Sequence, residues 1–444
     1  MRTVGGVAVR VIVIGGGAVG LCVAEALASR GGEVTVFERD RCGAGASAGN
    51  AGWITPSLAL PVPGPGVIGE SLRWLVDRSG PLWIRPTLSP AMLAWLARFV
   101  GSCARPAYLR GLVALQRAAA LAGPAFDRLS ERDVELELHD EPLVYPAFEQ
   151  SELEQLWRVA DTLRDAGVGD PLERLPASEL LALEPALSDR AVGGMIARGD
   201  RRVRPELLCD GVRRALLHAG AEVFERSPVE HLIRDGSTWI VEGRSEMRRA
   251  DAVVLAAGVA SAHVLADLGV RLPIAAAKGY SRTYESHPSG PRQALYLETP
   301  KVAISVFDGA VRLSGTLELG ARDLSLSDRR LEAITAAARQ ALPGWDMPSR
   351  PRDWAGMRSL SPDGLPFIGP VPGWDGIHLA TGHATLGITL APLTGELLAP
   401  LLLEGHGSEL LGAFDPARAL AAGFVRRMSL DYAQRIRATT GGLR

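Results

Sequence analysis

The chain has 444 residues, 47% of them hydrophobic, and a formal net charge of −2; this is enough core for two or three domains and lacks the basic excess of a nucleic-acid binder or polybasic membrane anchor. The four cysteines, Cys22, Cys42, Cys103 and Cys209, have neither C-x-x-C spacing nor the density of a disulfide framework, and they fit a reducing cytoplasm. The opening apolar run passes straight into a glycine cluster with no spacer to a cleavage site, which argues against a signal peptide, and no stretch reaches the ~18 uninterrupted apolar residues of a membrane span.

The first predicted strand, 9–14, contains Val9, Val11, Ile12, Val13 and Ile14 and reads as a strand buried on both faces of a parallel sheet. Gly15, Gly17 and Gly20 follow with G-x-G-x-x-G spacing. An Ala- and Leu-rich helix is predicted over 19–29, stopped by Gly31 and Gly32, and a strand over 34–37 delivers Glu38. In such a unit Gly15 permits the tight turn, Gly17 leaves room for a pyrophosphate and Gly20 lets helix and strand pack closely. The helix start offers unpaired N–H groups and a positive dipole end. Glu38 lies 18 residues beyond Gly20, where a carboxylate can accept from both ribose hydroxyls and would repel a 2′-phosphate, so FAD or NAD is favoured over NADP.

Residues 39–69 form a long segment rich in Gly, Pro, Ser and Asn, with small residues from Ala46 to Gly52 that let backbone pass beside a bound ring system. Helices are predicted over 71–77 and 91–103. Trp83, Trp95 and Phe99 fit either an interior stripe or a surface resting on a membrane. Further helices are expected at 109–129 and 151–166, with a strand pair across 134–145 between them. A strand at 191–200 precedes a helix at 207–219, strands at 222–226, 230–233 and 238–242, and a buried strand ending in Ala256, Ala257 and Gly258. That last strand reads as part of the nucleotide domain, its small residues letting the sheet edge approach the cofactor.

From Lys278 a strand-rich block runs through 294–297, 302–307 and 311–315, with Asp308-Gly309 as a hairpin signal. It ends in a helix at 324–342 and reads as a second domain. A last strand at 377–380 leads to Thr381-Gly382-His383 and a helix predicted over 386–403. The dipole of that helix, aimed at a flavin, would stabilise the charge that builds on reduction. No metal-ligand spacing is read.

These motifs together resemble the D-amino acid oxidase and dehydrogenase superfamily of FAD enzymes, and within it the bacterial D-amino acid dehydrogenase small subunits. The resemblance rests on VIVIGGGAVG with Glu38, SAGNAGWITPS, RPTLSP, AKGYS, GMRSLSPDGLPFIGP and TGHATLGIT. It implies an α/β fold, with a Rossmann-like FAD-binding domain of glutathione-reductase type and an inserted α+β substrate domain on an antiparallel sheet. The expected division is 1–85, 188–268 and 353–420 for FAD, 86–187 and 269–352 for substrate, and 421–444 as a helical tail. It also implies noncovalent FAD, with which the absence of any Cys after Cys209 agrees. The cofactor residues carried over are Gly15, Gly17, Ala18, Val19, Gly20, Glu38, Arg39, Ser47, Asn50, Ala51, Gly52, Val229, Ala257, Gly258, Gly382, His383, Leu386, Gly387 and Ile388. Arg358 corresponds to the arginine that grips the substrate carboxylate. Ser359 stands where the family usually has Pro, Ala384 where it has Gly, and Trp53 where the dehydrogenases have a polar residue.

The chemistry follows from residue types. Arg358 can hold a carboxylate through two parallel charge-assisted hydrogen bonds, and such positioning can supply roughly 7 kcal/mol. A neutral amine lone pair can then push hydride from Cα to flavin N5 without a strong base, giving an imine that hydrolyses to a 2-oxo acid and ammonia. Tyr280 is a candidate for the cavity wall and His383 a neighbour of the flavin, without an acid or base role. The expected reaction is oxidation of a D-amino acid, with electrons passing to oxygen, a quinone or another carrier. The alternatives are a hydroxyproline, proline, sarcosine or glycine type of substrate, or a flavin-binding module without turnover, against which Arg358 and Gly382-His383 argue. The expected location is the cytoplasm, with peripheral contact at the inner face of the membrane as its variant.

Overall fold

The computed structural model describes residues 8–69, 80, 82–85, 89–132, 134–167 and 172–420. The helix expected over 71–77, residues 86–88 of RPTLSP and the tail over 421–444 lie outside them. Strand Arg10–Ile14, buried from Val11 onward, pairs in parallel with Glu33–Phe37 on one side and Ala252–Leu255 on the other. Glu222–Phe224 and Ile377–Thr381 extend this parallel sheet outward, and Phe367–Pro370 closes one edge antiparallel. Such strands read as unbroken apolar runs because helices or a second layer cover both faces. Helix Ala18–Ala28 covers one face and packs among helices Pro205–His218 and Ala391–Glu404. On the other face a three-stranded meander, His231–Asp235, Thr238–Glu242 and Met247–Ala250, buries Trp239 and shares a core with Ile12, Phe37 and Val253.

A nine-stranded mixed sheet stands beside it. Its long strands, Ala275–Glu285, Ala310–Leu319 and Arg352–Leu360, are antiparallel, while Leu82–Ile84 and Leu143–Ala147 each make one parallel pairing. Helix Asp328–Ala341 packs on one face with Tyr280, Tyr284 and Leu313. Strands Gly193–Ala197 and Arg352–Leu360 belong to this sheet by hydrogen bonding, although Glu222–Phe224 and Phe367–Pro370, later in the chain, return to the parallel one.

Two local expectations are corrected. The segment 134–145 is not a strand pair: Leu138–His139 pairs with Arg201–Val203, and Leu143–Ala147 joins the nine-stranded sheet, because Asp140-Glu141-Pro142 carries the chain between sheets. The last helix begins at Ala391 rather than 386, with Pro392 in its first turn, a position where the missing N–H costs nothing; residues 384–385 and 387–390 are turns. Trp95 is buried and stacks on Phe99 at 5.2 Å, so those two rings face inward, and the exposed side of helix Pro90–Ser102 carries Leu93 and Val100. No helix among the described residues is long and apolar enough to cross a membrane.

Candidate active site

The parallel strands end together, and beyond their C-terminal ends lies a cleft of about 610 Å³ that runs from Gly15 and Glu38 to Arg358 and His383. This is where open α/β sheets bind ligands. At the near end Gly15 has φ +115°, a conformation L side chains rarely adopt, and a Cβ on it would stand 2.6 Å from the carbonyl oxygen of Ala256. The glycine lets the turn pass against the next strand. Gly20 does not line the cleft; it packs where a Cβ would stand 1.9 Å from the oxygen of Gly15.

Glu38 accepts the Gly16 N–H at 2.7 Å through one carboxylate oxygen and the Asp40 N–H at 2.9 Å through the other. The backbone fixes its direction and leaves each oxygen a lone pair for a further donor. Ser47 Oγ accepts the Ala18 N–H at 3.0 Å, which caps one orphan donor of the helix. Gly17, Ala18, Val19, Arg39, Asn50, Val229, Ala257 and Gly258 also line it.

Ala51 and Gly52 lie behind the wall. The Ala51 carbonyl accepts from Ser305 of the nine-stranded sheet, and a Cβ on Gly52 would meet the oxygen of Val203 in a small three-stranded sheet, so these two tie the loop to both. Trp354 makes the same connection from the other side. Its indole lies against both Gly49 and Gly356, where added Cβ atoms would stand 2.1 Å from ring carbons.

At the far end Gly387 and Ile388 line the cleft, whereas Leu386 is buried in the core and Gly382 turns with φ +79° against Phe367. His383 lines it too. The single hydroxyl proton of Thr394 goes to the Leu390 carbonyl at 2.7 Å, so Thr394 Oγ1 accepts from His383 Nε2 at 3.0 Å. That assigns the Nε2–H tautomer, and burial pushes the imidazole pKa down to about 3. His383 is therefore neutral and held in place, which suits a wall and not a proton carrier.

Arg358 opens into the cleft from strand Arg352–Leu360. Desolvation lowers its pKa, opposed by the nearby Tyr296. Among the described residues no carboxylate pairs with it, in contrast to Arg282, which holds Asp353 at 2.8 Å on the neighbouring strand. A desolvated guanidinium without a counter-ion is costly and is a ready anion site.

Tyr280 departs from expectation. Its hydroxyl donates to Glu318 at 2.8 Å, its ring packs with helix Asp328–Ala341, and it is not part of the cleft wall. Alternation along the strand turns it to the helix side, whereas Gly279 lies under Arg358. Tyr296 takes the place nearer Arg358; it packs edge-on against Trp53 at 5.6 Å and Tyr145 at 6.0 Å. It escaped sequence reading because strand Ala294–Leu297 carries no motif, and only its period-2 pattern marks it.

The residues present fit a flavin dinucleotide: a glycine turn with a helix start for phosphates, a fixed carboxylate for a ribose, and an elongated wall of small residues beyond. The profile of the family DAO, FAD dependent oxidoreductase, matches residues 10–401. D-amino acid dehydrogenase of Xanthobacter autotrophicus is 32% identical over 410 residues, covering 88% of this chain and 95% of that protein. Among solved structures, glycine oxidase from Geobacillus kaustophilus superposes with a TM-score of 0.71 at 25% identity, covering 93% of this chain and 99% of that one. L-proline dehydrogenase from P. horikoshii shares the fold with a TM-score of 0.69 at 18% identity, over 93% of this chain and 97% of its own.

Proposed function

The chain belongs to the DAO family of FAD-dependent oxidoreductases and acts in amino acid oxidation, and on that premise we propose that it deaminates a D-amino acid whose carboxylate is held by Arg358. The observation that carries this reading is the Arg358 guanidinium facing the cleft with no acidic partner among the described residues. Two parallel hydrogen bonds from that fork fix both the position and the rotation of a carboxylate. The other titratable side chains lining the cleft are Glu38, Arg39, His263, Arg322 and His383. Glu38 is committed to the ribose end and His383 is neutral, so neither serves as a base beside Arg358, and the substrate reacts with its amine already deprotonated. FAD, when bound, supplies the two-electron acceptor for hydride leaving Cα. The resulting imine hydrolyses to a 2-oxo acid and ammonia. His383 is read as a wall of the flavin site, and Tyr280 as a support behind the strand that carries Gly279.

The finer features of this reading are noncovalent FAD, since none of the four thiols lines the cleft, and peripheral membrane contact through the exposed Leu93 and Val100 side of helix Pro90–Ser102. The chain divides as 1–85, 188–268 and 353–420 for FAD and 86–187 and 269–352 for substrate, except that strands Leu82–Ile84, Gly193–Ala197 and Arg352–Leu360 serve the substrate side. A second reading, a secondary amino acid or glycine as substrate, is supported by the likeness to a glycine oxidase.

The test is anaerobic bleaching of the flavin absorbance of the purified protein with D-amino, L-amino and N-methyl amino acids. Bleaching by D-amino acids alone supports the first reading, bleaching by N-methyl acids or glycine the second, and no bleaching by any of them refutes both. Re-exposure to air against added quinone then identifies the acceptor, and acid precipitation shows whether the flavin leaves the chain.

A further inference from the structure

Strand Arg352–Leu360 and its neighbour Ala275–Glu285 leave a gap in their side-chain layer. Gly279 and Gly356 face each other across this antiparallel pair, so neither strand raises a Cβ at that rung. Two large side chains lean in from either end. Trp354 covers Gly356, and Arg358 covers Gly279, where a Cβ would stand 3.0 Å from Nη2, 3.1 Å from Nε and 3.2 Å from Cζ.

The backbone at 279 does not require glycine, since its φ is not in the left-handed region. The bulge at this point is carried by the facing strand: Lys278 pairs with Glu318 and Tyr280 with Gly315, and it is Thr316 that adopts φ +55°. What position 279 supplies is empty space beneath one particular group. The three atoms a Cβ would crowd are contiguous in one rigid plane. Swinging a single nitrogen cannot relieve the contact, and the whole guanidinium would have to lift by a few tenths of an ångström. Arg282 and Arg312 of this sheet take their direction from acids, Asp353 and Glu206; Arg358 has no such partner among the described residues.

We propose that Gly279 is a positioning residue: its bare backbone is the seat of the Arg358 guanidinium and sets the height and tilt at which that group meets the substrate carboxylate. The inference rests on the reading of Arg358 as the carboxylate clamp.

The experiment compares G279A, R358K and the double variant, each loaded with FAD, by steady-state kinetics and by acetate titration of the flavin spectrum. G279A is expected to raise KM and the acetate Kd together by about tenfold, since displacements well under an ångström are felt at a clamped centre, with kcat, the resting flavin spectrum and Tm little changed. In the R358K background, where there is no plane to crowd, the added G279A should have almost no effect. Unchanged KM and acetate Kd in G279A, while R358K raises both, would overturn the role of Gly279 and leave that of Arg358 standing. An equal effect of G279A in both backgrounds would also overturn it. No change in R358K removes the clamp reading itself. If G279A fails to fold, folding of the double variant upholds the proposal, and failure of both locates the obstacle in the backbone and overturns it.

Discussion

Arg358→Met separates function from stability, because the two should move in opposite directions. The guanidinium is desolvated, and among the described residues no acid compensates it. Its two hydrogen bonds to a carboxylate, at about 1.5–3 kcal/mol each for a charged group, amount to roughly 3–6 kcal/mol of substrate binding. Their removal should weaken binding by about 10² to 10⁴-fold. Methionine is of similar reach and apolar, so it fills the position without the unpaired charge, and the free enzyme should gain about 1–2 kcal/mol. That corresponds to a rise in Tm on the order of 2 °C. The measurements are the substrate dependence of anaerobic flavin reduction, for the binding loss, and thermal unfolding of the FAD-loaded protein in the absence of substrate. Flavin content should be unchanged, since the phosphate and ribose end of the cleft is untouched. A variant that still saturates at the original substrate concentration refutes the clamp. One that loses several kcal/mol of stability refutes the claim that the cation stands unpaired.

Three further outcomes follow from individual positions. Ala384 has φ +51°; Ala384→Gly should stabilise by about 0.5–1 kcal/mol, the left-handed penalty less the entropy of glycine, and a lower denaturant midpoint would contradict this. Gly15→Ala places a Cβ 2.6 Å from backbone at φ +115°, so it should purify without flavin and lose about 3 kcal/mol or more; a yellow, stable variant would count against the glycine turn. His383 has its pKa depressed to about 3 by burial, against an ordinary value of about 6.5 in the unfolded chain. Between these values the unfolded chain binds the extra proton, so this contribution is complete above pH 6.5 and is lost as pH falls towards 3. Relative to His383→Gln, the wild type should lose about 2 kcal/mol between pH 7 and pH 5; parallel stability curves for the two would show that the imidazole is not buried neutral.

Much of this protein is dictated locally. The strand, glycines, helix, strand and Glu38 can be read from residues 9–38 because each step depends on near neighbours: apolar runs, a turn that only glycine allows, and a spacing set by the length of one helix. Arg358, too, is marked by its motif. Which sheet a strand joins is different, since Leu138–His139 and Leu143–Ala147 look like a hairpin in sequence yet go to separate sheets, and Gly193–Ala197 joins the nine-stranded sheet while the next strand, Arg201–Val203, does not. Such choices are made by partners well outside the local sequence: Val203 for Leu138, and Ala197 and Ala294 for Leu143. The same holds for direction: Tyr280 and Gly279 are adjacent in the chain, and only the pairing with Arg352–Leu360 decides that the tyrosine turns to the helix while the glycine lies beneath the guanidinium. A sequence determines what each residue can do, but whether a charge meets a counter-ion or is left open to a ligand depends on distances that exist only once the sheets have packed.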